Sequence, residues 1–170
     1  MRGRNLFLFL AIFFIFSCVE ARAEVQIKVS NPSSKPTKVG LFPEEVITLK
    51  ELRNKQILHE PFILLDARGK KSYDEAHIEG ALLPLSKDYY EQEELFRAGI
   101  IKALPNRDKD LARKMVQYPK NTPVVTYCND HCQASVVLLL QMKNLGFANV
   151  RVLEEGIQSW QAAGYPVKSS

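Results

Sequence analysis

Val124-Val125-Thr126-Tyr127-Cys128, continued without a break by Asn129-Asp130-His131-Cys132-Gln133-Ala134-Ser135, is the stretch on which the reading of this chain turns. Its first four residues are β-branched or aromatic and are launched by Pro123, the composition of a strand. Gln133 to Leu145 reads as a helix, and Gly146 stands where a helix commonly ends in a left-handed residue. Cys128 therefore closes a strand, a tight turn follows, and a helix begins. In open α/β sheets, ligands bind just beyond the carboxyl ends of strands. Backbone N–H groups of such a turn, with those opening the helix, can converge on one point and favour negative charge there. A cysteine sulfur at that point has its thiolate stabilised, and the thiolate is the nucleophile. The alternative for Cys128 by itself is a small buried apolar residue, because free cysteine is among the most buried residue types.

The same alternation extends in both directions. Phe62-Ile63-Leu64-Leu65 is a continuous apolar run ending at Asp66. A run without polar alternation suggests a strand covered on both faces, as in a parallel sheet. Val46-Ile47-Thr48 reads as a short strand, Leu49 to Ile57 as a short helix, and Ser72 to Ala76 as one or two helical turns. Ala81 to Leu85 is a further apolar piece, and Lys87 to Val116 is polar and helix-prone, broken by Gly99 and Pro105. Val150 to Leu153 reads as a last strand and Ile157 to Ala163 as a last helix, closed by Gly164 and Pro166. Strands alternating with helices argue an α/β fold with a parallel sheet. The segment from Lys87 to Asn121 carries no readable role.

At 170 residues, 46% hydrophobic and 25% charged, the chain has room for one domain and a tail, and it is neither a disordered polymer, a collagen nor a coiled coil. A net charge of +4, dispersed along the sequence, gives no footprint for nucleic acid. Three cysteines are too few for a disulfide-stapled miniprotein. The first residues are unlike the rest: Arg2 and Arg4 precede Leu6 to Val19, which is apolar apart from Ser17. A membrane-crossing helix needs roughly 20 apolar residues, and this run is shorter and is stopped by Glu20 and Arg22. Ala21-Arg22-Ala23 has the small-x-small pattern of a signal peptidase site, so residues 1–23 are read as a signal peptide. An uncleaved anchor, or a lipoprotein anchored at Cys18, are the alternatives. Residues 24–42, with Pro32, Ser33, Ser34, Pro36 and Gly40, read as a tether or edge segment, and 43–170 as the domain. The expected location is outside the cytoplasm, most simply the periplasm, with no membrane span in the mature chain. Only Cys128 and Cys132 then remain, in a compartment where disulfides persist.

Five stretches, in order, resemble rhodanese-like sulfurtransferase domains. Phe62-Ile63-Leu64-Leu65-Asp66-Ala67-Arg68 resembles their strand ending in Asp-x-Arg. Tyr73, followed after three residues by His77-Ile78-Glu79-Gly80-Ala81, resembles their aromatic-x-x-x-His-Ile-Pro-Gly-Ala signature, with Glu79 in place of Pro and Ala76 in place of a usual Gly. Val124 to Cys128 matches the strand entering the active-site loop. Leu145 to Val150 with Leu153 to Trp160, and then Gln161 to Val167, resemble the closing segment. The match spans about Pro43 to Val167. The resemblance implies a five-stranded parallel sheet with helices on both faces. It implies that Cys128 is the catalytic nucleophile, taking up a sulfane sulfur as a persulfide and passing it to a thiol or cyanide, with no cofactor. Asn129, Asp130, His131, Cys132, Gln133 and Ala134 are then the substrate-binding loop. Asp66 and Arg68 form a supporting pair, and His77 sits in a turn, hydrogen-bonded to backbone, without a second metal ligand at useful spacing.

The loop departs from the family's usual Cys-x-x-Gly-x-Arg-Ser. His131 holds the glycine position, no Arg or Lys is present, and Asp130 adds negative charge. Doubly negative thiosulfate is drawn in less well than by a basic loop. Ala134, six residues after Cys128, removes the clamp of a Cys-x5-Arg phosphatase. Two further readings stay open: a catalytically silent module that binds a protein partner or carries sulfur, and a thiol redox protein using Cys128 and Cys132. A disulfide between them is expected to form only if the loop bends, pulling Cys128 from its donors and giving an inactive form. Trp160 and Tyr165 are read as core and cap, and His131 as either a donor to substrate or a solvent-facing residue.

Overall fold

The computed structural model describes residues 40–170. The leader at 1–23, Cys18 and nearly all of the tether lie outside the described residues. A 3-10 turn at Pro43–Glu45 leads into α1 (Leu49–Ile57), β1 (Ile63–Asp66), α2 (Lys70–Glu75) and β2 (His77–Ile78). Then come α3 (Lys87–Arg97), α4 (Arg107–Met115), β3 (Val124–Tyr127), α5 (Gln133–Asn144), β4 (Val150–Leu153), α6 (Gly156–Ala162) and β5 (Val167–Lys168). No helix among the described residues is long and apolar enough to cross a membrane.

The sheet is parallel, in the order β1-β3-β4, with Ile63 opposite Val124 and Val124 opposite Val150. Successive residues feed opposite faces, as the pleat requires. Ile63, Leu65, Val124, Val150 and Val152 pack on one side with Tyr89, Leu111, Met115, Leu138 and Met142, from α3, α4 and α5. Leu64, Val125, Tyr127 and Leu153 pack on the other with Leu52 of α1, Ile157 and Trp160 of α6, and Ile78 of β2. Every residue of β1 and β3 is buried, which is why neither strand shows polar alternation.

Five full parallel strands are not formed among the described residues. Three are, and each edge is reduced to a single parallel bridge, Val46 to Val152 and Leu65 to Leu82. At one edge the 3-10 turn ends just before Val46, and Thr48 is already the N-cap of α1, its Oγ1 accepting from the Glu51 N–H at 3.2 Å. At the other edge, Leu82 N–H donates to Leu64 O at 2.8 Å and Leu82 O accepts from Asp66 N–H at 3.0 Å. Pro84, two residues on, has no N–H to continue the ladder. His77, read as a turn residue, instead lies on β2, which pairs antiparallel with β5.

The segment with no readable role forms one wall of the core. α3 and α4 bury Tyr89, Tyr90, Leu111 and Met115. Buried Asp110 accepts from Ser86 N–H at 2.7 Å and from its hydroxyl at 2.8 Å, while Lys114 donates to Leu85 O at 2.7 Å. The core also begins before residue 43: Leu41, placed in the tether by composition, is 2% exposed and packs with the α5 face.

Candidate active site

β3 hands the chain to α5 through residues 128–132 at the carboxyl edge of the sheet. Cys128 directly follows Tyr127 at the end of β3 and is 3% exposed. Asn129, Asp130, His131, Gln133 and Ala134 are exposed around it, and Cys132 is half-buried. Cys132 is the N-cap of α5, with φ −89° and ψ 133°, so the helix starts on the second cysteine. The reversal between the cysteines is made by His131, whose φ of 47° lies in the left-handed region.

The segment after β4 holds this loop from below. Ile157 N–H donates to Cys128 O at 3.0 Å, and His131 N–H donates to Glu154 O at 3.2 Å. Asp130 N–H donates to Gln158 Oε1 at 2.9 Å. Gly156, with φ 66°, is where the two backbones touch: a Cβ there would stand 2.5 Å from Asn129 C and 2.7 Å from Asp130 N. Only glycine permits both the conformation and the approach.

These bonds correct one expectation. Two of the loop's N–H groups, those of Asp130 and His131, are spent on the 154–158 segment and do not converge on the Cys128 sulfur. That sulfur is joined to Cys132 in a disulfide, with the Cα atoms 5.8 Å apart. In this bonded state Cys128 is buried and its carbonyl is held by Ile157, so the disulfide coexists with an ordered end of β3. Electrostatically the loop is acidic. The His131 imidazole lies between Asp130 Oδ1 at 3.3 Å and Glu154 Oε1 at 3.5 Å, and no Lys or Arg occurs from 128 to 135.

Asp66 and Arg68 brace the neighbouring strand end. Asp66, fully buried, accepts from Arg68 N–H at 2.9 Å and Nε at 3.0 Å on one oxygen, and from Arg68 Nη2 at 2.7 Å on the other. The second oxygen also accepts from the Tyr127 hydroxyl at 2.7 Å, tying Asp66 to the residue before Cys128. Arg68 Nη2 reaches Ala76 O at 2.5 Å. Burial pulls the Arg68 guanidinium down, but its hydrogen bonds to Asp66 and that carboxylate's charge outweigh this and hold it above its ordinary value. Burial pushes the Tyr127 phenol far up, and the negative charge of Asp66 adds to the effect. His77 stacks on Tyr73 with ring centroids 3.8 Å apart, and its Nδ1 donates to Tyr73 O at 2.8 Å. Trp160 is fully buried and donates to Pro166 O at 3.0 Å, with Tyr165 edge-on at 4.9 Å.

Sequence reading did not single out four contributors: Tyr127 through its hydroxyl, and Glu154, Gly156 and Gln158 beneath the loop. The glycine three residues past the end of β4, at the start of α6, was the available sign for the last three. Among the described residues no group of His, Cys, Asp and Glu is gathered to hold a metal.

Comparison with known proteins agrees with this architecture. The family model described as Rhodanese-like domain matches residues 48–163. No curated protein sequence matches the chain. Among solved structures, the rhodanese-like domain of the Alr3790 protein from Anabaena sp is 22% identical, with a TM-score of 0.54 over 75% of this chain and 80% of that one. The BH2092 protein from Bacillus halodurans is 20% identical, with a TM-score of 0.55 over 74% of this chain and 77% of that one. At such identities the likeness speaks for the fold. The family match covers every element from the cap of α1 through α6, including the strand that leads into Cys128 and the glycine beneath its loop, and on it the chain belongs to the rhodanese-like domain family.

Proposed function

We propose that the chain is a sulfurtransferase that carries sulfane sulfur as a persulfide on Cys128, taking it from thiosulfate or a persulfide donor and giving it to a thiol or cyanide. The observation that carries this reading is the position of Cys128: a buried sulfur at the carboxyl end of the central strand, under a ring of exposed loop residues. A thiolate there is the nucleophile, and a covalent persulfide splits one transfer into two easier steps. The acidic loop, with Asp130 and Glu154 flanking His131, favours donors of low charge over thiosulfate. Residues 129–134 meet the donor, while Asp66, Arg68 and His77 hold the strand ends that present them. Residues 1–23 send the chain out of the cytoplasm in this proposal, and the mass of the protein from its own host tests that, showing an N-terminus at Glu24 or a lipid on Cys18.

The test of the chemistry is cyanolysis of the fully reduced protein with a sulfane donor. Thiocyanate is expected from the wild type and none from Cys128→Ser. Equal, background rates from both would leave a silent module that binds a partner. The Cys128–Cys132 bond favours a second reading, thiol redox chemistry without sulfur transfer. In that case the reduced chain reduces disulfide substrates but takes up no sulfur.

A further inference from the structure

We propose that Cys132 is the resolving cysteine of this site: its thiolate attacks the inner sulfur of a Cys128 persulfide, forms the Cys128–Cys132 disulfide and expels the outer sulfur as hydrosulfide. This rests on the reading of Cys128 as a persulfide carrier, and it assigns the product. A thiolate and a neutral persulfide give a disulfide and HS⁻, so charge and hydrogen balance. The sulfane sulfur is reduced by two electrons and the two cysteines are oxidised by two. A thiol reductant, a dithiol protein or a small thiol, then resets the pair for another round.

Three observations carry the assignment. The first is reach. The two sulfurs bond with Cα atoms 5.8 Å apart, within the roughly 4.4–6.8 Å that a disulfide requires. They do so with α5 intact from Gln133 and β3 intact to Tyr127, so the bonded pair is accommodated without unwinding either element. The reversal belongs to His131, and the Ile157, Glu154 and Gln158 bonds hold the loop in this shape.

The second is reactivity. Cys132 is the N-cap of a twelve-residue helix, where the unpaired N–H groups and the helix dipole favour an anion. Its side chain makes no cap hydrogen bond, because its sulfur is directed at Cys128. A thiolate formed in that position is aimed at Cys128. The third is departure. Hydrosulfide leaves into a loop flanked by Asp130 and Glu154 and free of Lys and Arg from 128 to 135, a setting that does not retain an anion for the reverse attack.

The reaction class that must feed this site is one that generates persulfides, and where no thiol or cyanide acceptor takes the outer sulfur first, it leaves as sulfide. In the experiment, the protein is reduced, freed of reductant under inert gas, given one equivalent of glutathione persulfide and desalted at once. Intact mass and free hydrosulfide are then measured on the wild type, Cys132→Ser and Cys132→Ala. The expected wild type is two hydrogens lighter than the reduced chain and has released one hydrosulfide per chain. Both variants are expected to be one sulfur atom heavier and to have lost hydrosulfide release. A wild type that keeps the extra sulfur with Cys132 free overturns the resolving role while leaving the carrier reading intact. If neither the wild type nor the variants gain sulfur or release hydrosulfide, the carrier reading fails and this inference fails with it. The wild-type measurement decides between these outcomes without the variants, so a misfolded variant does not blur the result.

Discussion

The carboxylate of Asp66 answers four donors, three from Arg68 and one from Tyr127, with no exposure of its own. Removing one partner of a buried ion pair leaves the other charge uncompensated, which costs about 3 kcal/mol or more. Asp66→Asn keeps the size and removes that charge, so Arg68, whose side chain is only 10% exposed, is left facing an amide. The expected outcome is an unfolding free energy lowered by that amount, read as a lower urea midpoint at an unchanged slope. Tyr127→Phe deletes two hydrogen bonds, the one donated to Asp66 and the one accepted from Ile78 N–H at 3.2 Å, and is expected to cost about 2 kcal/mol. Because both touch the same oxygen, the double variant should cost less than the sum. An Asp66→Asn protein as stable as the wild type would show that the pair does not brace the strand end. The Asp-x-Arg spacing was legible in the sequence because it is local. The Tyr127 hydroxyl was not, because it meets Asp66 across 61 positions of chain through the parallel register.

Among elements, the junction between β4 and α6 matters most to the cysteine loop. Gly156→Ala would place a methyl into the backbone of Asn129 and Asp130 at a positive φ. A substitution that is strained and also clashes with backbone is expected to destabilise by about 2 kcal/mol or more. It should also loosen the 128–132 loop specifically. Amide exchange at Asp130 and His131 should accelerate more than at the β1 amides, and sulfur uptake should fall with it. Uniform acceleration would mean that Gly156 serves the fold and not the loop. The long elements were legible for a plain reason. α1, β3 and β4 follow the bounds of their own patterns, and the break read at Gly99 and Pro105 separates α3 from α4. The two-residue strands β2 and β5 were not legible, since two residues leave no period to detect. The edge strands failed for the same local cause: a helix cap on one side and Pro84 on the other allow a single bridge each.

For the whole molecule, two buried phenols set the alkaline limit. Burial pushes both Tyr90 and Tyr127 well above the ordinary value near 10, and for Tyr127 the charge of Asp66 adds to it. Below pH 10 the folded and unfolded chains hold these protons equally, so the tyrosines make no pH-dependent difference. Above it the unfolded chain releases protons that the folded chain keeps, and stability falls with rising pH by about 1.4 kcal/mol per pH unit for each tyrosine. Urea titrations from about pH 8 to pH 11.5 should show a flat region and then this decline, with a shallower slope in Tyr127→Phe. A flat profile to the end of that range would show that the phenols ionise freely in the folded chain.

The clipped edges of the sheet bear on how copies of this chain meet. An exposed edge strand offers a row of free N–H and C=O groups on which a second chain can lay down a strand of its own. Here Val46 and Leu82 each occupy an edge with one bridge, beside a helix cap or a proline, so neither presents a row long enough to template a neighbour. Growth of one sheet into another is blocked at both sides. Association of the folded domain with another copy is thereby left to side-chain faces such as the exposed Val137 and Leu140 of α5, where single polar substitutions would be expected to remove it.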